Sequence, residues 1–194
     1  ACGRSLERFC RHNPPLMTWG WLDHSHLAVR AFHWIWALRF LGDLAVLKSE
    51  TVMLTILQLR VIGQVLAQDL ENKRQGFGPV DVASAGALLY MGRCLPFLPE
   101  STDWWTLGQT VLGPALGGYS QFMPLTGAVP TAQVRQAADG GSMGLWLARH
   151  SGVELIGLED ALRDLAIFCR SSAPPWGAGL SWDWQPGGAL MELD

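Results

Sequence analysis

The chain has 194 residues, 49% hydrophobic and 16% charged, enough for one domain with a sizeable core or at most two small ones. A charged share below the about one quarter of an average soluble domain excludes disorder. With 14 basic and 17 acidic residues, a net charge of −3 and no basic block, the chain lacks the clustered Lys and Arg that phosphate binding draws on, and no nucleic-acid partner is expected. Ten Trp stand against two Tyr; Trp-lined clefts hold sugars, and Trp is also a large core residue.

Residues 1–18 read as a lead-in, polar at first and closed by Asn13-Pro14-Pro15, where two prolines stop regular structure. The first long helix is expected to begin within Trp19 to Asp23 and to end around Gly42 to Leu47. Leu27, Ala31, Trp34, Leu38 and Leu41 recur at steps of four and three and form an apolar stripe that seeks a core. Asp23, His26, Arg30 and His33 form a second, polar row on the same helix. Such a row faces either water or a cleft, and Trp19, Trp21, Trp34 and Trp36 around it favour a cleft that stacks a flat or ring-shaped ligand. Arg30 has a plainer role open to it, as an ion-pair partner of Asp23 or Glu71. His24 and His26 would diverge by about 200° on a helix, so no metal site is expected.

Ser49 reads as the N-cap of a second helix running to about Leu70, followed by a Gly-containing loop over Glu71 to Pro79. A third helix covers Val80 to Arg93, and its Ala83, Ala85, Gly86 and Ala87 are small enough to admit a neighbouring helix closely. Ser101 or Thr102 caps a fourth, Trp104 to about Gln121, with a kink expected at Gly113-Pro114. Thr131 caps a fifth, interrupted by a turn at Asp139-Gly140-Gly141-Ser142. The sixth spans Leu158 to Arg170, and the Gly-, Pro- and Trp-rich tail, residues 171–194, is loop or short strand.

Six helices without strand alternation predict an all-α fold of antiparallel helical hairpins over residues 19–170. Periodicity leaves open a bundle, a hairpin solenoid or part of a ring of hairpins. Arg30, Arg39, Asp43 and Arg60 interrupt the apolar runs, so no transmembrane segment is expected. A start at Ala1 without an apolar leader fits a cleaved signal or a piece of a longer chain. Of four Cys, Cys2 and Cys10 are close enough to pair, whereas Cys94 and Cys169 read as buried thiols. No dinucleotide, P-loop or nucleophile-elbow fingerprint occurs, and no cofactor is expected.

The run HLAVRAFHWIWALRFL resembles a helix of heparinase II/III-like polysaccharide lyases with a pattern close to V-A-I-R-A-x-N-W-x-W-A-L. Arg30, Ala31, Trp34, Trp36, Ala37 and Leu38 match it, and His33 stands where Asn is usual. Further matches follow in order: Leu70-Glu71 before a Gly-containing loop, Gly78 and the helix ending AGALLYMG, Pro99-Glu100, Trp105 with Gly108, and Gln121 with Pro124 and Gly127. The similarity covers about Trp19 to Gln136. It implies an incomplete (α/α) toroid that is normally followed by a β-sandwich, absent from this sequence, and a periplasmic or extracellular location.

Such lyases cleave uronate-containing glycans by β-elimination, which needs a base, an acid and a neutraliser of the substrate carboxylate within reach. The resemblance implies an acidic polysaccharide or oligosaccharide as partner, with His33 and Tyr119 as catalytic candidates and Arg30, His26, Trp34, Arg135 and Gln121 as substrate-binding candidates. The family's helix-opening Asn-His corresponds to Pro79 and Val80, and its downstream Tyr-His to Arg135 and Gln136, which also allows a non-catalytic glycan-binding or structural protein on the same scaffold. A toroid handling lipids or peptides is a third reading, which a wholly apolar cleft would favour.

Overall fold

In α4 (Pro79–Cys94) every residue from Asp81 to Met91 is buried, and the other helices are arranged around it. A computed structural model describes residues 2–42, 47–73, 76–126, 131–152, 155 and 157–171, excluding the side chains of 2, 119–136 and 168–171. The remaining helices are α1 (Cys2–His12), α2 (His24–Gly42), α3 (Ser49–Asn72), α5 (Ser101–Thr126), α6 (Thr131–Ser151) and α7 (Leu158–Ser171), with a 3-10 turn at Trp19–Trp21. The described residues contain no strand, so the all-α expectation holds.

Contacts alternate along the chain. α2, α4 and α6 pack side by side, as do α1 with α3, α3 with α5, and α5 with α7, while consecutive helices from α2 onward pack across these two rows. A single core joins them, from Cys10 and Leu27 through Leu59, Leu88 and Leu112 to Leu158 and Leu165.

Local chemistry explains where two helices begin. Asp23 Oδ1 accepts bonds from the Ser25 backbone N–H (2.8 Å), the Ser25 hydroxyl (2.6 Å) and the His26 N–H (3.3 Å), capping α2. At α4, Pro79 occupies the first turn, and the wholly buried Asp81 carboxylate accepts from the Gly78 N–H (2.5 Å) and pairs with Lys73.

Several expectations are corrected. The segment read as a lead-in holds α1, an 11-residue helix that packs on α3 through the buried Cys10. The amide of buried Gln58 on α3 donates to the carbonyls of Cys10 (2.8 Å) and Asn13 (3.3 Å), tying down the end of α1. Cys10 is a free thiol, not half of a Cys2 pair, and Cys94 is free and half-buried. Ser49 lies inside its helix, which Lys48 precedes without a side-chain cap.

The turn expected at Asp139-Gly140-Gly141-Ser142 does not interrupt the helix, since α6 runs through it, and α5 continues through Gly113-Pro114. At 139–142 the glycines serve packing. A β-carbon on Gly140 would stand 2.9 Å from Ala83 Cα, and one on Gly141 would stand 2.8 Å from Leu162 Cδ2. Close approach of α4 and α7 thus outweighs the turn tendency of the sequence.

Among the described helices α3 alone is long and apolar enough, by length and composition, to cross a membrane. Its Thr51, Thr55, Gln58, Leu59, Ile62, Gly63, Leu66 and Leu70 are buried, whereas Met53 and Leu57 are exposed.

Candidate functional site

The polar row expected along α2 divides in two. His26 and His33 lie on its exposed side, whereas Arg30 turns back toward the 3-10 turn. Arg30 Nη2 donates to the Gly20 carbonyl at 2.9 Å, and its guanidinium carbon sits 5.1 Å from the Phe9 ring centroid, 5.6 Å from Trp21 and 5.7 Å from Trp34. A guanidinium among aromatic faces gains about 0.5–2 kcal/mol per favourable ring, more as it is desolvated. Neither Asp23 nor Glu71 pairs with it; Asp23 is engaged in the α2 cap and meets His26.

Burial pushes the Arg30 guanidinium below its ordinary value, and the neighbouring Cys10 acts weakly in the opposite sense. The Cys10 thiol is in turn pushed up by burial, against the pull of the Thr55 hydroxyl and the Arg30 charge. Arg30 retains its charge under all ordinary conditions, so the α1–α2 contact holds a partly buried cation beside a neutral thiol.

Trp34 is 9% exposed and meets Phe9 edge to face, with centroids 5.6 Å apart. Expected to bind substrate, it is a core residue, because the same steps of four and three that place Leu27 and Ala31 inward carry it with them. Trp36 and Phe40 take the outward place. They are 39% and 63% exposed, and their rings stack with centroids 5.1 Å apart at 16°. His26, His33, Trp36 and Phe40 fall within one narrow arc of α2 by helical spacing, and all four are exposed.

His24 and His26 diverge as a helix requires. His24 Nδ1 lies 3.1 Å from Asp69 Oδ2, and His26 Nδ1 lies 3.4 Å from Asp23 Oδ2. Tyr119 and Gln121 belong to the last turns of α5 and Arg135 to the start of α6, but their side chains lie outside the described residues. Sequence reasoning missed the role of Phe9, because α1 was not foreseen, and that of Phe40, although its spacing of four from Trp36 was available as a signal.

Comparison with family models, with curated proteins and with solved structures finds no match to this chain.

Proposed function

We propose that this chain is the helical part of a polysaccharide-lyase-like protein, an incomplete (α/α) toroid that engages uronate-containing acidic glycans. The observation that carries the reading is the outward stripe of α2, where two imidazoles lie beside a stacked indole and phenyl ring. An exposed indole face offers a sugar ring an apolar platform, and adjacent imidazoles supply hydrogen bonds to its hydroxyls and carboxylate. The alternating two-row packing of helices is the arrangement a toroid of hairpins would require.

In the elimination, a base removes the C5 proton, the electron pair forms the C4–C5 double bond, and the C4–O bond breaks with a proton delivered to the leaving oxygen. His33 is the proposed base and Tyr119 the proposed acid. Arg135 would neutralise the substrate carboxylate, with Gln121 and His26 hydrogen-bonding the sugar.

One observation favours a second reading, a glycan-binding protein without catalysis. Arg30, the basic residue of the matching motif, is engaged by Gly20 and three rings and does not present its guanidinium to a ligand on the α2 stripe. Incubation with heparan-type, chondroitin-type and alginate polymers separates the two readings. A rise in ultraviolet absorbance from unsaturated uronate, abolished by His33→Ala, supports the lyase. Saturable binding without that rise supports the binding protein, and neither signal with any of the three polymers refutes both.

A further inference from the structure

Two donor nitrogens on neighbouring side chains are sealed from solvent and bonded to nothing among the described residues. One is Arg30 Nη1 and the other is Trp21 Nε1. Trp21 is 3% exposed, and the Arg30 guanidinium carbon lies 5.6 Å from its ring centroid. Leaving a buried donor unpaired costs about 1–3 kcal/mol, and more where the group is charged. Both unpaired groups are donors, so they cannot satisfy each other, and each calls for an acceptor, shared or separate.

Charge points the same way. The groups around the guanidinium are the rings of Phe9, Trp21 and Trp34, the Gly20 carbonyl and the Cys10 thiol, and no carboxylate among the described residues pairs with it. The Gly20 carbonyl takes only Nη2, and the donors left over, Arg30 Nη1 and Trp21 Nε1, walled by aromatic faces, favour a small anion over a bulky or multiply charged one.

We propose that Arg30 and Trp21 hold a single halide-sized monovalent anion, chloride being the abundant candidate, at the junction of α1, α2 and the 3-10 turn. The anion accepts from Arg30 Nη1 and Trp21 Nε1 and neutralises the partly buried guanidinium. It is a structural ion, and it does not depend on the glycan reading.

Chloride titration of the full chain tests this, with sodium gluconate holding ionic strength constant. Linkage predicts that Tm rises by about 4 °C as chloride goes from about 1 mM to about 300 mM, given a dissociation constant near 10 mM. Trp21→Phe keeps the ring and removes the donor; the dependence should fall by at least half, and Arg30→Met should abolish it. Chlorine-35 NMR of the unaltered protein supplies an independent readout, an excess line width that bromide displaces, so the test survives if either variant fails to fold. Equal Tm in chloride and gluconate with no excess line width would overturn the proposal, as expected if one water bridges the two donors. A chloride effect undiminished in both variants would also overturn it, by placing the ion elsewhere.

Discussion

A β-carbon on Gly86 would stand 2.6 Å from the carbonyl oxygen of Gly140, so the backbones of α4 and α6 touch directly at this crossing. Gly86→Ala should therefore destabilise the fold by about 1–3 kcal/mol, the overpacking range, even after the up to about 1 kcal/mol that Ala gains over Gly in a helix. Gly118 on α5 is the control, because nothing among the described residues lies within 4 Å of its would-be β-carbon. Gly118→Ala should stabilise by about 0.5–1 kcal/mol. Urea unfolding of both variants reads the difference in sign.

Asp23 holds three donors at the start of α2, and Asp23→Ala should cost about 1 kcal/mol, within the usual range for losing an N-cap. Partial burial raises the Asp23 carboxyl, but the Ser25 hydroxyl and the His26 and Ser25 backbone N–H groups outweigh it, so its folded value is lowered. The stabilisation is thus full above the unfolded value of about 4 and lost as pH falls through the folded one. Denaturation midpoints of the variant and the parent should converge toward pH 2.

Glu100 joins α3 to the start of α5. Its Oε1 accepts from Arg60 Nε (2.8 Å), Arg60 Nη2 (2.6 Å) and Gln64 Nε2 (3.0 Å). The Arg60 hydrogen bonds hold the Glu100 carboxyl below its ordinary value, so its contribution is present at neutral pH and disappears as acid protonates it. Glu100→Gln should lower Tm at pH 7 and leave it unchanged near pH 2. A Tm gap that stayed constant across that range would show that the carboxylate charge contributes nothing.

Trp36→Ala should weaken glycan binding by about 0.5–1.5 kcal/mol, a loss of about twofold to tenfold, if the indole is a stacking platform. Because Trp36 is exposed at 39% and, among the described residues, stacks on Phe40, thermal stability should change little. Calorimetric titration alongside a thermal melt separates the two effects; unaltered affinity would remove the platform.

The helical class and most of the long helices were legible in the chain itself, since steps of three and four in apolar residues need no partner to be read. The small-residue run of α4 also announced a close neighbour, which α6 supplies at Gly140. What periodicity misread was decided by contacts distant in sequence. α1 is polar along most of its length and gains its place through Cys10, Gln58 and Phe9, whose partners lie 21 or more residues away.

The same distinction governs the candidate site. Sequence placed Asp23, His26, Arg30 and His33 on one row, and helical geometry does place them so. Only the fold determined that Arg30, long enough to reach back, would leave the row for the Gly20 carbonyl and the rings of Phe9, Trp21 and Trp34, while His33 stayed in water. Spacing fixes the direction of a Cα–Cβ bond, whereas the end of a flexible cationic side chain settles wherever aromatic faces and a free carbonyl are brought within its reach.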